Sequence, residues 1–264
     1  MKKRFQKALQ DKDFSELLRG SGISFFLRFG GLAIGYLLTL IIAHLFGADG
    51  LGEYILAITI LRLFTLLAKV GLDITSIRFI ASFASQNKWR SIFSFRKQVL
   101  LILSVSSILS SLLMYFLAVP ISDLIHTNYR YIQLNAFFVL PMAFFMVNYE
   151  SLRGLKRIAE FSFFYRVSQG LFSIISIIIL YQFCKSSEIP VYAYLISVLI
   201  VSILSFFSFT YWLKEISDGE EQAVLEVKSY SNLLKMSIPL MFAQSVQFIM
   251  SWTDKLMLGS MSTL

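Results

Sequence analysis

A single cysteine, Cys184, excludes an internal disulfide and a metal site built from cysteines. Histidine is nearly as scarce: His44 and His126 stand apart, without the spacing of a ligand pair, and read as structural. Charge is thin too. Only 15% of the residues are Asp, Glu, Lys or Arg, against about 25% in soluble domains. There is no H-E-x-x-H, no P-loop and no G-x-S-x-G, and no sizeable loop carries an acidic cluster. The segments between apolar stretches are too short to fold a nucleotide-binding domain, so ATP-driven transport by this chain alone is disfavoured. A membrane glycosyltransferase is disfavoured for want of a loop able to hold an acidic metal site. Neither an enzyme nor a metal or cofactor is expected.

What the chain has instead is apolar surface: 56% of 264 residues are apolar and 16% are aromatic. One aqueous-style core cannot hide that much, which predicts an all-α polytopic membrane protein. A net charge of +8 would suit a nucleic-acid partner, but the cations fall in short loops between apolar segments rather than on one face, so that partner is excluded. A spanning helix needs about 20 largely apolar residues. Seven stretches qualify, at 21–46, 51–72, 98–119, 129–149, 162–184, 190–213 and 236–259. Between the first two lies an expected tight turn, GADGLGEY, from Gly47 to Tyr54. Pro120 is expected to close the third helix, Pro190 to open the sixth and Pro141 to kink the fourth.

Orientation follows from the Lys and Arg of the short loops. The N-terminus carries Lys2, Lys3, Arg4, Lys7, Lys12 and Arg19; the loops after the second, fourth and sixth helices are basic; the intervening loops hold only Arg130 and Lys185. This predicts a bacterial-type plasma (inner) membrane protein with a cytoplasmic N-terminus. Residues 1–20 read as a cytosolic basic amphipathic segment, too long in its following apolar run for a signal peptide; a plain basic topology signal is the alternative. The acidic stretch 214–235, with Glu215, Asp218, Glu220, Glu221 and Glu226, reads as a cytosolic linker between a six-helix lobe at 21–213 and a further helix at 236–264.

The charges inside the apolar stretches are the informative ones, because a guanidinium at bilayer depth is disfavoured by about 2.5–3.5 kcal/mol on insertion scales. Arg62 lies deep in the second helix with no acidic residue three or four positions away. Lys69 and Asp73 share its face by the i, i+7, i+11 rule, and being four apart they form either a functional pair or a local ion pair near the helix end. Arg28 lies about 10 Å into the first helix and either looks inward or snorkels to the interface. Beside it Gly31, Gly35, Thr39 and Ala43 repeat every four residues, a pattern that lets another helix approach. Helix five carries Ser162, Tyr165, Gln169, Ser173 and Ser176 along one side, and helix seven carries Gln244, Gln247, Ser251, Asp254 and Lys255. Lipid cannot satisfy such stripes, so they face protein or water. The candidate substrate contacts are Arg62, Arg28, Lys69, Gln169, Gln244, Gln247, Asp254 and Lys255.

Four segments, LFGADGLGEY, VGLDITSIRFIAS, YESLRGLKR and SIPLMFAQSVQFIMSWTDKLMLGSM, stand in an order and spacing that together resemble one family. These are the polysaccharide-export proteins, the Wzx-type flippases of lipid-linked oligosaccharides, in the superfamily that includes multidrug exporters of the MATE type. The resemblance implies two six-helix lobes arranged as a V around a cavity, working by alternating access. It also implies an undecaprenyl-pyrophosphate-linked sugar as substrate, membrane lipids and the polysaccharide assembly machinery as partners, and cavity cations at Arg28 and Arg62. Family members carry twelve or more helices, so the expectation is a first lobe plus one helix of a longer protein, not competent for transport by itself. Coupling to an ion gradient and coupling to the membrane potential both stay open. The rival expectations are a multidrug exporter of the same fold and a non-transporting truncated membrane protein.

Overall fold

The computed structural model describes residues 12–125, 127–183, 186–217 and 230–261. The basic N-terminal stretch 1–11, His126, Cys184, Lys185 and most of the expected linker (218–229) lie outside them. Among the described residues every regular element is helical. In chain order they are α1 (Lys12–Lys69), α2 (Leu72–Ser85), α3 (Trp89–Phe116), α4 (Ala118–Ile125), α5 (Tyr129–Ala136), α6 (Val139–Gly154), α7 (Ile158–Phe163), a π-helical turn (Phe164–Ser168), α8 (Gln169–Phe183), α9 (Ile189–Ser217) and α10 (Tyr230–Met261).

Five of the described helices are long and apolar enough to cross a membrane, and a sixth span arises if the bent pair α5–α6 is counted as one. The protein is a multi-pass membrane protein. The first of the five, Gly22–Lys69, has 48 residues, about 70 Å at 1.5 Å per residue, more than twice a hydrocarbon core of roughly 30 Å. Gly47 divides it: its φ of 73° with ψ of −173° is non-helical and open only to glycine. The two arms, 12–46 and 48–69, are the first two of the seven expected helices. The turn expected over 47–54 thus contracts to one residue, because Gly47 absorbs the whole change of direction and the chain is helical again from residue 48.

Three more boundaries differ from expectation for local reasons. The second arm stops at Lys69, where Val70 (φ 47°) and Gly71 (φ 71°) take left-handed conformations, and the expected loop beyond is largely the helix α2. Its register explains this: Leu72, Thr75, Ser76 and Ile80 are buried while Arg78 is exposed, a stripe that packs on α6, where Ile80 meets Gly154. The fourth span bends by 53° between α5 and α6. The break falls at residues 137–138, just before Pro141, whose ring removes a backbone donor and crowds the preceding turn. Pro120 lies within α4 rather than at the end of α3, which stops at Phe116, and Pro190 stands in the first turn of α9 where its missing N–H is harmless.

The interior is built around the second arm of α1. Ile60, Leu61, Phe64 and Ala68 pack with Leu103 of α3, Met142 of α6 and Val198 of α9 in one apolar cluster. Small hydroxyls and one amide fasten it. Ser106 and Ser110 of α3 donate to the carbonyls of Ala68 (2.5 Å) and Phe64 (2.7 Å), and Asn135 Nδ2 donates to the Ala57 carbonyl (2.9 Å). Between helices in lipid, where there is no hydrophobic drive to associate, close packing and such bonds hold the bundle.

Candidate functional site

A cavity of about 430 Å³ opens beside this core. Each wall is one face of a helix. The first arm of α1 supplies Arg28, Gly31 and Leu32; the second supplies Arg62, Leu66 and Lys69 at i, i+4 and i+7. From α6 come Met142, Phe145, Met146 and Tyr149, again one face; the π-helical turn adds Tyr165 and Arg166, α8 adds Gln169, and Phe248 of α10 closes the remaining side.

Among the described residues four cations therefore surround one space, and no carboxylate lines it. They are held in different ways. Arg62 sits among the phenols of Tyr194, Tyr54 and Tyr149, which provide polar surroundings without neutralising it. Lys69 Nζ lies 2.5 Å from Asp73 Oδ2. Asp73 is only 6% exposed, and its oxygens also accept hydrogen bonds from Gln244 Nε2 at 3.0 and 3.2 Å. A buried carboxylate needs that full set of partners. Arg166 lies over the Tyr165 ring, 5.2 Å from its centre. Arg28 is exposed, and among the described residues neither Arg28 nor Arg166 joins an ion pair. Gln169 reaches Met142 Sδ at 3.7 Å. Such a site offers an anion several positive donors.

Of the residues expected to contact substrate, the structure brings together Arg28, Arg62, Lys69 and Gln169. Gln244 is not on the cavity wall; it fastens α10 to Asp73, assisted by Thr75 Oγ1 against Ser237 Oγ at 2.8 Å. Gln247 is exposed and off the cavity wall. The side chains of Asp254 and Lys255 lie outside those described. The stripe of small residues is half used: a Cβ on Gly31 would come within 2.8 Å of the Arg166 carbonyl oxygen, whereas around Gly35 nothing lies within 4 Å. Among the described residues of that arm, Leu38 and Ile42 are buried, not Thr39 and Ala43.

Arg166 is a cavity cation absent from the candidate substrate contacts read from the sequence. It lies in the π-helical turn, and with Tyr165 it reaches the wall that Gln169 shares, as residues three and four positions apart on a helix do. Its proximity to Gln169, three positions on, is the only signal in the sequence.

Among the described residues no group of three or more His, Cys, Asp or Glu could hold a metal ion. Residues 17–264 match the model of a family described as polysaccharide biosynthesis protein. No curated protein and no solved structure matches the chain significantly.

Proposed function

We propose that this chain, which belongs to the polysaccharide biosynthesis protein family, serves as a flippase and not as an enzyme. On this reading it moves an undecaprenyl-pyrophosphate-linked oligosaccharide from the cytoplasmic to the outer leaflet of a bacterial inner membrane by alternating access. The single observation carrying the proposal is the cavity whose wall, among the described residues, holds Arg28, Arg62, Lys69 and Arg166 and no acid. A pyrophosphate is the complementary load: arginine keeps its charge when partly dehydrated, and its planar donors fork onto phosphate oxygens. Lys69 adds a movable point charge. Beside Arg28 the first arm exposes Phe25, Phe29 and Tyr36 along one face, an apolar track on which a polyprenyl tail can lie while its headgroup enters. Export of cationic drugs by the same fold would call for carboxylates on the wall, and none stands there among the described residues.

The orientation belongs to the proposal. The N-terminus is cytoplasmic, residues 21–213 form a first lobe, and α10 begins a second, joined by the acidic linker. The test is complementation in a strain lacking its own flippase, using the complete gene. Arg62→Ala should reduce surface polysaccharide to less than about a tenth, since losing one charge-assisted contact of about 1.5–3 kcal/mol is a ten- to hundredfold loss in affinity. Arg62→Lys should restore part of it. Undiminished export by a stably expressed Arg62→Ala protein would sink the proposal.

A further inference from the structure

A second cavity, of about 540 Å³, adjoins the first and shares two of its residues, Tyr165 and Arg166. Its remaining charged lining is Arg153, Lys156 and Glu150. Three cations against one carboxylate leave the space positive by two. The carboxylate is loosely engaged: Arg153 Nη1 stands 3.6 Å from Glu150 Oε2, and the arginine side chain is 55% exposed. The glutamate is only 15% exposed, so the contact is half-buried, but at 3.6 Å it is no hydrogen bond and the exposed arginine can turn to a stronger anion.

The cations are presented by an aromatic rack. Phe161 and Tyr165, one turn apart, stack with ring centres 5.5 Å apart and planes within 8°. Arg153 lies over the first ring at 5.3 Å and Arg166 over the second at 5.2 Å. The rings orient the two guanidinium groups without taking their charge. Lys156 completes the set from a backbone position with φ of 61°. There α6 ends in a paired closure, the Arg157 N–H on the Leu152 carbonyl and the Lys156 N–H on the Arg153 carbonyl, both 3.0 Å. Glycine is the unstrained occupant of that left-handed position; lysine occupies it with its side chain on the cavity wall. The neighbouring Arg157 is turned elsewhere, 3.5 Å above the Trp212 ring.

From this geometry we infer a second site for a lipid pyrophosphate headgroup, walled by Arg153, Lys156 and Arg166 and joined to the first cavity through Tyr165 and Arg166. Arg166 serves both spaces, so a headgroup passes between them without leaving a cation, and the two sites are occupied in turn. The inference rests on the flippase reading for the identity of the lipid. A resident anionic phospholipid offers the same phosphate chemistry.

Lys156→Gly makes a direct test possible, since it removes the charge while relieving the left-handed backbone, and folding is not put at risk. Retention of undecaprenyl pyrophosphate by the purified full chain is measured by native mass spectrometry in four proteins. These are the unaltered chain, Arg28→Ala with Arg62→Ala, Arg153→Gln with Lys156→Gly, and all four changes together. The expected result is that the Arg28/Arg62 variant still holds one lipid and that adding the other two changes lowers its retention at least tenfold. An Arg28/Arg62 variant that holds none, or one that is indifferent to the added pair, overturns the second site. Retention in the Arg28/Arg62 variant equal to that of the unaltered chain, yet abolished by the added pair, upholds the second site and overturns the first. Phosphatidylglycerol is run in parallel, with phosphatidylcholine as the neutral control. Stronger retention of phosphatidylglycerol than of the polyprenyl lipid at this site overturns its role as a station for the transported headgroup.

Discussion

The first arm of α1 and the helix α9 are both long apolar spans, yet the most apolar window of the first span is 11% buried and that of α9 is 61% buried. In lipid, hydrophobicity does not decide which helix goes inside, because the tails outside are as apolar as leucine. Placement is decided by small and hydroxyl residues that let neighbours come close. α9 has them on its inner face: Ser197 accepts from Ser173 at 2.9 Å and donates to the Tyr194 carbonyl, and Ser205 donates to Ser202. Ser197 and Ser205 spend their hydroxyls inside the bundle. The first arm keeps Phe25, Phe26, Phe29 and Tyr36 outward and turns Arg28 towards a cavity. One helix is scaffold, the other a working surface.

That contrast can be broken most forcefully in the scaffold. Phe209 of α9 is 1% exposed, so Phe209→Ala should cost towards the lower end of about 3–5 kcal/mol, lipid having removed part of the transfer term but none of the lost packing. Phe25→Ala on the exposed arm should cost almost nothing. Thermal unfolding of the two variants in mild detergent checks the pair, and equal losses would erase the distinction. Gly71→Ala comes next. Its φ of 71° and an added Cβ only 2.3 Å from the Ser237 carbonyl oxygen require α10 to move off the end of the second arm. A loss of about 1–3 kcal/mol from backbone strain alone is expected, visible as faster proteolysis of α10. The smallest effect sharpens the comparison within one helix. Gly31→Ala, against the backbone of the π-helical turn, should weaken lipid binding severalfold by displacing Arg166. Gly35→Ala, with open space around it, should be neutral or stabilising by up to about 1 kcal/mol. Ligand-binding assays on both variants read the difference.

The legible part of this molecule is the part governed by periodicity. Apolar runs mark the spans, and the spacing of Arg62 and Lys69 puts both on one face, where the cavity has them. Reading fails where one residue departs from the helical period. Gly47 replaces an eight-residue turn, and Val70 and Gly71 interrupt a face that then continues as α2. The four-residue stripe in the first arm misled for another reason. Spacing identifies where a neighbour can approach, but only Gly31 has one; the close approach further on is made by Gly170 against Ile34, a glycine belonging to the other helix.

Asp73 is bonded at once to a cavity cation and to a residue of α10. It makes cavity occupancy and the seating of that helix linked variables. An anion that draws Lys69 to itself takes the counter-charge from a carboxylate that is only 6% exposed, and leaves it with the amide of Gln244. By reciprocity, any movement that pulls Gln244 away tightens the hold of Asp73 on Lys69 and lowers the affinity of the cavity for its load. Loading favours a seated α10, and a loosened α10 favours unloading. A single buried carboxylate is enough to give the two events a common free energy.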